Sequence, residues 1–148
     1  MNEIKKILVP VDFSENSVKI LQSAVAFAGR LQATLDIVFV VQSFEDYSGF
    51  FVPHMPIAQF EEEMIQGAEK KMESYLEENV KQSDINEAKV LSGDVAEEII
   101  NYAKEQGIDM IIMGTHGYKG LEKVLFGSVA EKVVKTAHCP VLTINPYK

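Results

Sequence analysis

The stretch from Gly114 to Ser128, GTHGYKGLEKVLFGS, carries most of the chemistry that residue types and spacing can suggest in this chain. Glycines stand at positions 114, 117, 120 and 127. With no Cβ in the way, a backbone N–H can come close to an anion. Ser128 reads as the start of a helix, whose first turn offers N–H donors with no intrahelical partner and a partial positive charge. A glycine-lined loop running into a helix start is a phosphate-binding arrangement. Ser128 adds a hydroxyl, either for phosphate or as a helix N-cap. The spacing is neither G-x4-G-K-[ST] nor G-x-G-x-x-G. Glycine-rich loops also make plain tight turns, so glycine content alone leaves both readings open. His116 and Lys119 lie in the same loop, each as well suited to solvent as to phosphate.

Elsewhere the reactive residues are sparse. Asp12 follows the first apolar run and has no second carboxylate beside it. A shared catalytic metal or a phosphoacceptor receiver site would need an acidic pair there. The same segment, PVDFSEN, holds no glycine, unlike the SGGxDS loop of adenylating and pyrophosphatase enzymes. His54 and His138 are isolated, and neither has a metal-ligand spacing with Cys139. Cys139 opens a buried strand and reads as an inert thiol. As the single cysteine it excludes an intrachain disulfide, which fits a reducing compartment.

The elements that must position these residues follow from hydrophobic periodicity. Apolar runs at Ile4 to Val11, Leu35 to Val41, Ala88 to Leu91, Met110 to Met113 and Val141 to Ile144 read as five strands. Helical patterns fill the gaps. One runs from Ser14, a plausible N-cap, to Leu31. Another runs from Ile57 to about Val80, with Phe60, Met64, Ala68, Met72 and Leu76 as its core stripe. A third runs from Asp94 to Gly107, opened by a capping box of Asp94 and Glu97. The last runs from Ser128 to about Ala137. Residues 43–56 show no period and read as a long loop, of a length that is often functional. The order β-α-β-α-β-α-β-α-β with continuous apolar strands predicts an α/β fold: a doubly wound, open five-stranded parallel sheet with helices on both faces. With no repeat or linker, residues 1–148 read as one domain. In such a sheet ligands sit beyond the carboxyl ends of the strands, where the strand order reverses.

The spacing Gly114-x2-Gly117-x9-Gly127-Ser128 resembles the ATP-binding signature of the universal stress protein family, G-x2-G-x9-G-[ST]. ILVPVDFSENS resembles that family's first strand and turn, SGDVAEEII its third-strand-to-helix turn, and CPVLTI its closing strand. The resemblance covers the whole chain. It implies a Rossmann-like strand order 3-2-1-4-5, with the reversal between strands one and four. It further implies that Val11 and Asp12 border adenosine, that Val40 contacts adenine, and that Gly117, Gly127, Ser128 and Val129 hold ribose and phosphates. With their neighbours Pro10, Met113, Gly114, Thr115, His116 and Ala130 these make up the expected ATP site. Asp12 has a second reading, as a cap of the following helix together with Ser14. If Mg²⁺ or Mn²⁺ accompanies ATP, Asp12 is the one carboxylate placed to meet it. The family likeness also puts strand 141–144 at a sheet edge, where it would pair with its copy in a homodimer.

A net charge of −8 disfavours nucleic acid, because no basic cluster offsets it. No stretch approaches the ~20 apolar residues of a membrane helix. The N-terminal run is too short for a signal peptide. The expectation is a cytoplasmic ATP-binding protein with a regulatory or stress-response role and little or no turnover. The alternatives are a nucleotide-independent dimeric signalling module and a slow ATPase.

Overall fold

The computed structural model describes residues 3–43, 57–115 and 128–148. The elements are β1 (Lys6–Pro10), α1 (Glu15–Leu31), β2 (Thr34–Gln42), α2 (Ile57–Asn79), a 3₁₀ turn (Gln82–Asp84), β3 (Ile85–Gly93), α3 (Val95–Glu105), β4 (Met110–Gly114), α4 (Ser128–Thr136) and β5 (Val141–Ile144). Five parallel strands stand in the order β3-β2-β1-β4-β5, as the sequence reading expected. No helix among the described residues is long and apolar enough to cross a membrane.

The central strands β1, β2 and β4 bury both faces, which is why they read as continuous apolar runs. Alternate residues feed two cores. Leu8, Val38, Val40, Ile111 and Met113 pack with α3 and α4. Ile7, Val9, Val11, Leu35, Ile37 and Ile112 pack with α1 and α2. Each helix presents an apolar stripe to its own layer. In α2 the buried residues are Ala68, Met72 and Tyr75, whereas Met64 is exposed. The expected i, i+4 stripe thus holds only in its middle. A strict four-residue step drifts around a helix of 3.6 residues per turn, and Tyr75 takes up the drift.

Helix ends are set by local chemistry. Ser14 caps α1, its hydroxyl accepting from Ser17 N–H. Asp94 caps α3, accepting from Glu97 N–H at 3.1 Å. The Glu97 carboxylate turns to Lys132 of α4 at 3.3 Å, so the lysine takes the carboxylate that a full capping box would use. Gly107, at φ +62°, closes α3. There Ile108 N–H bonds Ala103 C=O and Gly107 N–H bonds Lys104 C=O, the pattern of a Schellman motif. In α1 the corresponding left-handed position is taken by Gln32, at φ 56°, and Gly29 lies inside the helix.

β3 is nine residues long, more than twice the expected Ala88 to Leu91. It is an edge strand, so Asn86, Glu87 and Lys89 are exposed and carry no apolar signature. Beside it lies a buried polar knot. Asp36 of β2 is 2% exposed. Its carboxylate accepts from Tyr102 O–H of α3 at 2.9 Å and from Asn86 Nδ2 of β3 at 3.0 Å. These bonds hold α3 to β2 and β3 and satisfy a carboxylate that would otherwise be costly to bury.

Burial holds the Tyr102 phenol protonated well above the usual tyrosine range, with smaller contributions from the Asp36 hydrogen bond and the Asp36 and Glu87 charges. Its folded-state value is raised, so the associated stability is intact below the unfolded value, about 10. It is lost as pH climbs beyond that. Tyr102→Phe leaves Asp36 one donor short and lowers stability at neutral pH by about 1–3 kcal/mol. Urea unfolding at neutral pH and above pH ~10 will show the lower midpoint and a shallower alkaline decline in the variant.

Candidate functional site

The strand order reverses between β1 and β4. These strands pair in the register Ile7 to Met110 and Leu8 to Ile111. Run to the strand ends, that register brings Pro10 beside Met113. The chain leaves β1 toward α1 on one face of the sheet, and α4 packs on the other. The two connections diverge, and a reversal of this kind leaves a crevice between the turn at 11–14 and the residues at 114, 115 and 128. The expected site residues Pro10, Val11, Asp12, Met113, Gly114, Thr115, Ser128, Val129 and Ala130 lie around it or at its base. Val40, on β2, is buried in the same apolar cluster as Met113 and Ala130, with Val129 packed against it. His116, Gly117 and Gly127 lie outside the described residues, as do Lys119 and the loop at 44–56.

One wall is held by an unusually dense set of bonds. Oδ1 of Asp12 accepts from Ser14 N–H at 3.0 Å, from Ser14 Oγ, and from Ser17 Oγ at 2.6 Å. Ser17 Oγ in turn accepts from Asp12 N–H at 2.9 Å. Asp12 and Ser14 therefore act together at the helix start, in an Asx turn that leads into the N-cap. Among the described hydrogen bonds none uses Oδ2 of Asp12. Ser17 is 8% exposed, and its role as a brace had no place in the sequence reading. A D-x-S-x-x-S pattern at a strand-to-helix turn is the signal that marks it.

The second unanticipated residue is Phe13. It sits at φ 65°, left-handed backbone that a bulky side chain seldom adopts. Its ring stacks on Phe39 of β2, with centroids 4.4 Å apart, and meets Tyr75 of α2 edge-on at 5.3 Å. Lys71 Nζ stands 5.5 Å from its centroid. The left-handed conformation costs roughly 1–2 kcal/mol. Two aromatic pairs, each worth about 0.5–1.5 kcal/mol beyond burial, offset it.

The opposite wall comprises the end of β4 and the start of α4. Thr115 N–H bonds Ile144 C=O of β5 at 2.9 Å, which fixes the chain as it leaves the sheet. Ser128 is the first helical residue of α4 and is exposed, Val129 is half-buried and Ala130 is buried. The N–H groups of this first turn have no intrahelical acceptor. Beyond β5 the chain returns to α1: Asn16 Nδ2 donates to Tyr147 Oη at 3.0 Å, and Lys19 Nζ to Pro146 C=O at 3.3 Å. Cys139 stands apart from the crevice. Burial, followed by the Asp109 charge, pushes its thiol up and keeps it protonated.

Among the described residues no group of three or more His, Cys, Asp or Glu converges to hold a metal. A cation here would need a ligand's own oxygens alongside Asp12. The brace on Asp12 is testable in the protein alone. Ser17→Ala removes one donor to the carboxylate and the only described acceptor of Asp12 N–H. Urea denaturation will show a loss of about 1–3 kcal/mol. A loss below a few tenths of a kcal/mol would mean that Ser17 is not a brace.

Comparison with known proteins gives the same architecture. The family model described as "Universal stress protein family" matches residues 3–145. Universal stress protein MJ0531 of Methanocaldococcus jannaschii is 37% identical over 99% of this chain and 85% of its own length. The solved structure of protein MJ0577, from the same organism, superposes with a TM-score of 0.77 at 30% identity, covering 97% of each chain. A universal stress protein from Archaeoglobus fulgidus, solved in complex with dAMP, shares the fold with a TM-score of 0.63 at 19% identity, over 97% of this chain and all of that one. The match over nearly the full length, together with the strand order, shows that this chain belongs to the universal stress protein family.

Proposed function

We propose that this protein binds ATP in the crevice between β1 and β4 and acts as a regulatory nucleotide-binding protein of the cytoplasm with little or no turnover. The observation that carries the reading is the complete spacing Gly114-x2-Gly117-x9-Gly127-Ser128, combined with where its two ends fall. Gly114 ends β4 and Ser128 begins α4, so the motif bridges the strand end and the helix start at the topological reversal. The free N–H groups of α4 suit phosphate oxygens. The apolar surroundings of Val40 suit an adenine ring. Strain at Phe13 agrees with the tendency of left-handed residues to cluster at ligand sites. The dAMP held by the Archaeoglobus fulgidus protein is an adenine nucleotide on the same fold.

The expected contacts are Val11 and Asp12 toward adenosine, Val40 toward adenine, and Gly117, Gly127, Ser128 and Val129 toward ribose and phosphates, with Pro10, Met113, Gly114, Thr115, His116 and Ala130 completing the site. Among the described residues no general base and no second carboxylate accompanies Asp12, which argues for binding without efficient hydrolysis. Mg²⁺ or Mn²⁺ would neutralise part of the triphosphate in an acidic protein. Mg²⁺ commonly takes only one or two carboxylates besides phosphate oxygens. Asp12 fits that role through Oδ2, directly or through water.

Calorimetric titration is expected to give a Kd of about 1 μM or tighter for ATP, equivalent to roughly −8 kcal/mol. Mg²⁺ strengthens the binding. Asp12→Asn removes most of that metal gain while metal-free binding stays equal or tightens. Absence of heat at millimolar ATP rejects the reading. A full metal effect in the mutant confines Asp12 to the turn.

The reading includes a homodimer through β5. This strand closes one edge of the sheet and leaves Val141, Leu142, Thr143 and Ile144 half-buried, which invites antiparallel pairing with a second copy. Light scattering at tens of micromolar should read twice the chain mass of 16.5 kDa. A monomer at that concentration excludes the pairing.

A further inference from the structure

A large hollow lies away from the crevice, between α2 and β3. It is an open groove of about 1190 Å³. Its floor is apolar, made by Met72, Leu76, Val80, Ile85 and Val90. All of these except Met72 are only half-buried. One side is β3 itself, paired among the described residues with β2 alone. In a strand, alternate residues turn both N–H and C=O to the same side, so half of the β3 backbone groups face away from β2.

The other side carries Glu69, Glu73 and Glu77, at i, i+4 and i+8 of α2. None of the three forms an ion pair among the described residues. Lys70 and Lys89 also border the groove, but Lys89 is already paired with Glu87 at 3.8 Å. The carboxylate row keeps an excess of negative charge on a chain whose net charge is −8.

The spacing of this row is informative. A helix rise of ~1.5 Å per residue sets successive carboxylates about 6 Å apart. Side chains on one face of an extended strand recur every ~6.6 Å. The two periods stay in step over three repeats.

We propose that this groove receives an extended segment of another protein with Lys or Arg at every second position, added as a further strand beside β3. Its backbone takes up the outward N–H and C=O groups of β3. The aliphatic stems of its basic side chains lie on the apolar floor, and their charged ends reach Glu69, Glu73 and Glu77. A second copy of this chain suits the edge less well. Antiparallel pairing would set Glu87 against Lys89, but it would also bring a second acidic α2 row to the same place.

The probe is a fluorescein-labelled acetyl-Lys-Val-Lys-Val-Lys-Val-amide, read by fluorescence anisotropy with the full chain at low and at physiological salt. The peptide is expected to bind, more weakly as salt rises. Glu69→Gln/Glu73→Gln/Glu77→Gln is expected to weaken it at least about tenfold, as is N-methylation of alternate peptide residues. The three glutamates are exposed, so the triple variant keeps its melting temperature. Absence of binding at millimolar protein overturns the proposal. So does equal binding of the N-methylated peptide or of the Glu-Val-Glu-Val-Glu-Val counterpart. Self-association that Lys89→Glu abolishes would show the edge covered by a second copy, and overturns it too.

Discussion

Parallel pairing of β1 with β4 is the constraint on which the rest of the structure depends. Right-handed crossovers leave little freedom: a connection that turns one way after β1 covers one face, and the path resumed at β4 covers the other. The divergence leaves two strand ends side by side, with their chains departing toward opposite faces. Every strand of a parallel sheet points its carboxyl end the same way, so the opening gathers a strand end, a tight turn and a helix start at one place. Such a gap is forced by topology before any ligand is considered.

Holding that gap open requires its walls to be stiff. On the β1 side the means are local and polar, since one carboxylate oxygen of Asp12 collects donors from Ser14 and Ser17. Farther out they are aromatic. Phe13 keeps an unfavourable backbone angle because Phe39 and Tyr75 grip its ring. The turn is thereby tied to β2 and α2. Across the sheet, Asp36 serves a separate purpose. Its bonds to Tyr102 and Asn86 fix α3 against the strands that carry the β3 edge. Polar atoms thus set the alignment of layers that apolar packing alone would allow to slide.

Much of this was legible in the residues. Strands buried on both faces announce themselves as apolar runs, and the helix caps Ser14 and Asp94 stand where their types predict. The reversal between β1 and β4 came from the family likeness, and the structure has it. What stayed hidden has a common cause. The outer half of β3 is exposed, so Asn86, Glu87 and Lys89 give no hydrophobic signal. Ser17 looks like any helical serine until the turn folds back on it. Phe13 looks like core, and only its backbone angle reveals strain. Tyr75 was overlooked because a straight i, i+4 count departs from the true helical period. Of the candidate site, the sequence supplied the glycine spacing and Asp12. It also offered Asp12 as a cap of the next helix together with Ser14, which the bonds to Oδ1 bear out, but it did not show that Ser17 would join them.

The strap formed by Pro146 and Tyr147 has a spectroscopic consequence. The chain contains no tryptophan and five tyrosines, so phenols dominate its near-ultraviolet emission. The Tyr147 phenol meets Asn16, in the first turn of the helix that follows the Asp12 turn. Tyr75 touches Phe13 at that turn from the other side. Two of the five native chromophores therefore border the same few residues. A rearrangement of the turn would alter the intrinsic light of the protein with no dye attached.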